Sequence, residues 1–268
     1  GNPVAAYNLV WLLSYLLNAL AAPLMLKRYA GRQLAAFAGS LVYTFSFYKM
    51  LHAHGHLHLV WTWLLPLSLV LLERWAERPS LPRATLWAAA VVLQSLTSWY
   101  LAVMTSIAHV VLVAWMAPGW IRAGRLRQSW HLVLVTLISV AALLPFAKPY
   151  RALPDSSVTE ASANSADLAA YLVPPENTWP GRVWRAQVGR GPRWIWGERT
   201  LFLGWIALAL AIAGTVELFR RSRWQLCFAY ASLTLVAFAL SLGPPAGADA
   251  GAWNVFSALA SIPGLGAF

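Results

Sequence analysis

Four histidines, His52, His54, His56 and His58, stand at alternate positions of the stretch FYKMLHAHGHLHLVWTWLLPLSLVLLERW (residues 47–75). They come just before an apolar run of membrane-spanning length that closes on the charge pair Glu73 and Arg74. On a helix, His52 with His56 and His54 with His58 form two i, i+4 pairs on different faces; on an extended chain all four share one face. Either arrangement offers imidazoles to a metal ion or to a phosphate. A metal would normally ask for a carboxylate beside them, and no acid lies nearby in sequence. No metal-ligating set is therefore assigned. His54 and His56 are candidate substrate-binding groups, and the alternative is a polar loop whose histidines solvate a helix mouth. His109 and His131, within or at the start of apolar runs, read as packing or interfacial groups.

A second group of residues lies in WPGRVWRAQVGRGPRWIWGER, residues 179–199. Here Trp179, Trp184, Trp194 and Trp196 interleave with Arg182, Arg185, Arg190, Arg193 and Arg199. Guanidinium forks suit phosphate, and indole faces suit sugar rings, cations or lipid headgroups. Arg182, Arg185, Arg193 and Arg199 are candidate phosphate binders; the competing reading is an anchor lying at headgroup level. Base stacking would use the same residue types, but the segment is expected outside the cytoplasm, so nucleic acid is not an expected partner. Glu198 beside Arg199 sits where this segment re-enters the membrane. It suits a metal or an acceptor hydroxyl, or equally a helix-start acid favoured by the macrodipole. Asp167 and Tyr171 share a face of a short helix under the same ambiguity. Trp99 and Tyr100, next to the polar turn Thr97–Ser98, look like an interfacial aromatic belt and join the candidate substrate-binding set.

What must position these residues is a membrane domain. The chain has 268 residues, 59% of them hydrophobic and 11% charged, with a mean hydropathy of +0.58. Soluble domains run at roughly 45–50% apolar and about 25% charged, so lipid is the expected solvent. Apolar runs cover residues 3–26, 34–48, 57–72, 84–98, 101–117, 130–147, 201–219 and 225–242. The expected fold is all-α and polytopic, with about eight spans and one long exported loop containing short helices. Pro23 and Pro66 fall within runs and are expected to kink them. The stretch 84–117 could be one helix or a hairpin. A hairpin turning at residues 95–100 puts Lys27, Arg28 and Arg32, then Arg74, Arg78 and Arg83, then Arg122, Arg125 and Arg127, then Arg220, Arg221 and Arg223 on one side. The positive-inside rule therefore selects the hairpin.

The resulting organisation is six membrane helices over residues 1–147 with a histidine-rich exported loop at 49–58, an exported loop at 148–199, two more helices over 200–242 and an exported segment at 243–268. The net charge of +11 then serves topology and anionic lipid. A single cysteine, Cys227, excludes an intrachain disulfide and zinc-finger spacing. A chain opening on Gly1, with no basic flank or cleavage site before its first apolar run, is expected to be an internal piece of a longer one. Its C-terminal end is expected to be cut as well.

No predicted span carries an acid or base near its middle, which argues against ion-coupled transport. No repeated halves and no polar pore-lining face speak for a transporter or a channel. An enzyme at the exported membrane face fits better. The ordered segments NPVAAYN, FSFYKMLHAHGHLHLVWTWLLPLSLVLLER, LQSLTSWYLAV, YLVPPENTWPGR and GERTLFLGWIAL resemble bacterial polytopic membrane proteins related to the GT-C superfamily of glycosyltransferases, over nearly the whole chain. The most specific segments are Gly55 and His56 followed by Trp63, Leu64, Pro66, Glu73 and Arg74, then Gly197, Glu198 and Arg199.

That resemblance implies a multispanning enzyme of the bacterial inner membrane. Such an enzyme transfers a sugar from a polyprenyl-phosphate donor at the non-cytoplasmic face, and a divalent cation is an open possibility as cofactor. Its partners would be membrane lipid and the lipid-linked sugar. In that superfamily the catalytic acid lies in the first exported loop, which would precede Gly1, so no catalytic residue is assigned in this chain. His56 and Glu198 carry over as site-lining groups. The alternatives are a non-catalytic protein that binds or flips a lipid-linked precursor and, last, a secondary transporter.

Overall fold

The computed structural model describes residues 1–148, 165–166, 168–175, 178–188, 201–244 and 255–261. Among the described residues there are helices and no strand. The chain divides into two compact units, residues 1–148 and 149–268.

The first unit begins with α1 (Pro3–Ala30), started by Asn2, whose side chain accepts from the amides of Val4 (3.0 Å) and Ala5 (3.3 Å), with Pro3 at the first helical position. It ends at Gly31, which takes the left-handed conformation (φ 65°) that closes a helix at least cost. Then follow α2 (Gln33–Thr44), α3 (Phe47–His52), α4 (Leu57–Val60), α5 (Leu64–Glu77), α6 (Leu81–Thr97), α7 (Trp99–Arg122), a 3₁₀ turn at Leu126–Ser129 and α8 (Trp130–Ala147). In this unit α1 packs on α2 and α5, α5 on α6, and α6 on both α7 and α8. The α1–α2 approach is close: a Cβ added at Gly39 would meet Leu26 Cδ1 at 2.9 Å, the use of a small residue familiar at membrane helix interfaces.

The second unit contains α9 (Leu168–Leu172), α10 (Trp179–Val188), α11 (Trp205–Arg220), α12 (Trp224–Ser241) and α13 (Val255–Ala260). Thr178 caps α10 by accepting from the Gly181 amide at 3.1 Å. Within this unit the Tyr171 hydroxyl meets Ser241 Oγ, and the Ala166 amide donates to Ser241 O at 2.9 Å.

Among the described residues, six segments are long and apolar enough to cross a bilayer: Pro3–Ala30, Gln33–His52, Leu57–Glu77, Trp99–Arg122, Leu126–Ala147 and Trp224–Ser241. The protein is an all-α polytopic membrane protein. Its outward side chains are apolar, with Leu34 78% and Ile206 77% exposed, a surface that lipid and not water tolerates. Of the eight expected runs, those at 84–98 and 201–219 form helices of 17 and 16 residues, shorter than the other six segments. The second begins late because Leu201–Gly204 is non-helical and Gly204 turns at φ 91°.

The chain does break between 84 and 117. Ser98 is extended (φ −168°, ψ 135°), and α6 and α7 fold against each other on either side of it. Pro23 lies inside α1, but Pro66 does not interrupt a span. The break falls at Trp61–Trp63, and Pro66 occupies the first turn of α5, where a missing N–H leaves no bond unmade. Of these six segments the most buried is Leu57–Glu77, with 61% of its most apolar 18-residue stretch buried against 11% for Leu126–Ala147.

Candidate functional site

The histidine segment is neither one helix nor one strand. α2 stops at Phe45, α3 runs only from Phe47 to His52, and a turn through Ala53–His56 leads into α4. The two geometries weighed from spacing are therefore both replaced. His52 is buried, stacks on Tyr48 (ring centroids 4.1 Å, 29° between planes) and has Nδ1 2.8 Å from Tyr48 O. His54 and His56 are exposed, as is His58; His54 Nδ1 lies 3.2 Å from Met50 O. The His52–His56 and His56–His58 ring centroids are each 6.0 Å apart. Among the described residues no three His, Cys, Asp or Glu side chains come together as a metal site.

Below this turn lies a buried polar knot that spacing did not single out. Asn18 of α1 is 1% exposed and Lys49 of α3 is 4% exposed. The Asn18 amide nitrogen donates to Ser14 O (2.7 Å) and to Val60 O (2.8 Å). Its Oδ1 accepts from Lys49 Nζ (3.2 Å) and Thr62 Oγ1 (3.0 Å). Lys49 Nζ also sits 3.3 Å from the centre of the Tyr43 ring, whose hydroxyl donates to Thr62 O at 2.8 Å. One amide thus ties α1, α3, the α4–α5 break and, through Tyr43, α2. Among the described residues Lys49 has no carboxylate partner: only Glu73 and Glu77 carry carboxylates in residues 1–148, and both are bound elsewhere. A desolvated ammonium held by a neutral amide and a π face is an unusual expense in a membrane protein and marks a functional position by default.

The expected span 34–48 stops one residue short of Lys49, whereas the membrane-length segment continues to His52. A lone lysine between aromatic and apolar neighbours in FSFYKML was the available signal.

The same end of this unit carries other polar groups. Tyr7, near the start of α1, donates to Ala53 O at 2.5 Å. Gln94, in the last turns of α6, donates to Trp61 O at 2.8 Å and to Thr97 Oγ1 at 2.9 Å. Trp99 and Tyr100 open α7 directly after, Trp99 half-buried and Tyr100 exposed.

The opposite end is marked by charge. Arg28 Nε donates to Glu73 Oε2 at 2.6 Å and its terminal nitrogen bonds Glu77, while the Tyr29 hydroxyl also holds Glu73. Glu73 therefore pairs with α1 and not with its chain neighbour Arg74. Adjacent residues on a helix point about 100° apart, so Glu73 faces the bundle and Arg74 faces out. Arg125 donates to Ala76 O (3.0 Å) and Glu77 O (3.2 Å), satisfying the last carbonyls of α5, and Trp75 meets Trp120 edge to face at 5.2 Å. These contacts gather the α1, α5–α6 and α7 basic clusters at one end of the first unit. His109 is buried beside Trp87 (5.6 Å) with Nδ1 2.7 Å from Thr105 O, a packed interior group.

In the second unit Arg182 is exposed on α10, and the Trp184 ring lies 5.9 Å from that of Trp205. Arg185 belongs to the same helix. Arg193, Glu198 and Arg199 lie outside the described residues, as do Asp167, Arg190, Trp194 and Trp196.

Neither the curated proteins nor the solved structures compared with the chain contain a match. One family, described as a domain of unknown function (DUF6311), matches residues 3–255. With nearly its whole length covered, this polytopic membrane protein belongs to the DUF6311 family.

Proposed function

We infer that the protein acts on a polyprenyl-phosphate-linked sugar at the non-cytoplasmic face of a bacterial inner membrane, in the manner of a GT-C-like glycosyltransferase. The observation that carries this reading is Lys49: a buried cation under the exposed histidines, with no acid among its described neighbours. A phosphate arriving from the membrane side would supply the missing counter-charge. The His54 and His56 imidazoles, exposed at the same turn, would contact the sugar or the phosphate.

Transfer would break the bond between the anomeric carbon and the phosphate oxygen and form one to an acceptor hydroxyl, whose proton goes to a carboxylate. The departing phosphate would be stabilised by a cation. A divalent metal could do this alternatively. Arg182, Arg185, Arg193 and Arg199 remain proposed phosphate contacts, with Glu198, Trp99 and Tyr100 as proposed site-lining groups.

A second reading, binding or flipping of the lipid-linked precursor without chemistry, is favoured by one fact. The only two acids of residues 1–148 are Glu73 and Glu77, both held by Arg28 at the opposite end. On that reading no base is needed. The test is to assay the full-length protein in liposomes for both retention and turnover of a labelled polyprenyl-phosphate sugar, with Lys49→Met and His56→Ala. Turnover that both variants reduce supports the transferase. Retention without turnover in the unaltered protein, lost in Lys49→Met, supports the binder. Retention and turnover untouched by Lys49→Met would remove Lys49 from any such site.

A further inference from the structure

A second site lies at the other end of the first unit and does not depend on that reading. Leu71, Arg74, Glu77 and Arg78 on α5 and its cap face Arg83 and Leu86 on α6 across an open groove of about 440 Å³. Leu71, Arg74 and Arg78 follow one stripe of α5 at i, i+3 and i+7, and Arg83 and Leu86 are i, i+3 on α6, so three guanidinium groups converge where the helices meet.

Their charge is not spent internally. Among the described residues neither Arg74 nor Arg78 has a side-chain hydrogen bond or ion pair. Arg83 is held in place by donating to Arg78 O at 2.8 Å. The one acid lining the groove, Glu77, is engaged by Arg28. The groove wall is amphipathic, since Leu86, 59% exposed, lines it beside the arginines.

We propose that this groove binds the phosphate headgroup of an acidic membrane phospholipid, with Arg74, Arg78 and Arg83 around the phosphate and Leu71 and Leu86 against the first methylenes of its chains. The charge fits an anion. The leucines fit an amphiphile, and a free phosphate would have no use for them. Basic pockets between membrane helices on the side rich in Lys and Arg bind acidic headgroups by this combination.

The test is native mass spectrometry of the full-length protein released from detergent with phosphatidylglycerol or with phosphatidylcholine of the same chains. Arg74→Gln/Arg78→Gln is compared with Arg220→Gln/Arg221→Gln at the turn after α11. Because arginines also direct insertion, Arg74→Lys/Arg78→Lys is included as a variant that keeps the charge.

The expected result is a phosphatidylglycerol adduct that phosphatidylcholine does not replace and excess inorganic phosphate does not displace. Loss of two arginine charges should weaken that adduct about tenfold or more, the lysine pair should lose less, and the Arg220/Arg221 variant should lose nothing. Equal adduct in the Arg74→Gln/Arg78→Gln protein would overturn the proposal. Equal loss in the Arg220→Gln/Arg221→Gln protein would also overturn it, by showing only a general charge effect. Displacement by inorganic phosphate would assign the groove to a free anion instead.

Discussion

Arg28 of α1 reaches across to Glu73 of α5, 2.6 Å from guanidinium to carboxylate, and this contact fixes which way the first and fifth helices face each other. Glu73 is 6% exposed and also receives the Tyr29 hydroxyl, so α1 supplies this buried carboxylate with donors.

Removing one partner should therefore cost more than removing both. Arg28→Ala leaves the buried Glu73 carboxylate without its guanidinium partner, a loss of about 3 kcal/mol, the low end for a broken buried pair, while Arg28→Ala/Glu73→Ala should recover part of it. Thermal unfolding of the unaltered protein, Arg28→Ala, Glu73→Ala and the double variant in one detergent measures this; additive losses would mean that the pair has no coupling.

Asn18 makes four contacts from one side chain, to Ser14, Val60, Lys49 and Thr62. Asn18→Leu strands a lysine and a carbonyl at once, and each buried group left unpaired costs roughly 1–3 kcal/mol. Thr62→Val removes one donor and should be milder. Equal melting temperatures for the two variants would contradict the bridging role.

Lys49→Met has the opposite sign. A methionine fills similar volume without a desolvated charge, so stability should hold or rise slightly. A substantial loss of stability would show that Lys49 serves the fold alone, which would weaken its assignment to a ligand.

Gly39 faces Leu26 so closely that an added methyl must displace the leucine tip. Gly39→Ala is expected to cost about 1 kcal/mol, near the low end of overpacking, and Leu26→Ala in the same protein should relieve much of that clash. The check is the melting temperature of both; a neutral Gly39→Ala would show that the Leu26 tip gives way without cost.

Sidedness is open to direct measurement because Cys227 is the chain's one cysteine. In a Cys227→Ala background, Gly55→Cys, where a Cβ meets nothing within 4 Å, should label from the non-cytoplasmic side with a membrane-impermeant maleimide. Ser80→Cys should label only from the cytoplasmic side, and Trp179→Cys should behave like Gly55→Cys. Labelling of Trp179→Cys from the Ser80 side would contradict the expected export of the segment that carries it.

The histidine segment shows where sequence reasoning stopped. Alternation at positions 52, 54, 56 and 58 suggested two regular geometries, yet a helix end, a turn and a short new helix point His52 inward and its three neighbours outward. The adjacency of Glu73 and Arg74 suggested a pair, but helical rotation sends them apart and joins Glu73 to a residue 45 positions earlier. Lys49 falls just beyond the apolar run 34–48, in the expected exported loop 49–58, whereas packing buries it.

Composition alone determined that the chain is helical and lives in lipid, because 11% charged residues cannot hydrate its surface and backbone groups in a bilayer must then be bonded within each segment. Within the first unit, the basic clusters and the polar turn at Ser98 likewise indicate which helix ends belong together. Which polar groups meet inside was decided only by packing. Lys49, Asn18, Tyr43 and Thr62 come from separate elements, and no local periodicity encodes the rotation and depth at which those helices dock.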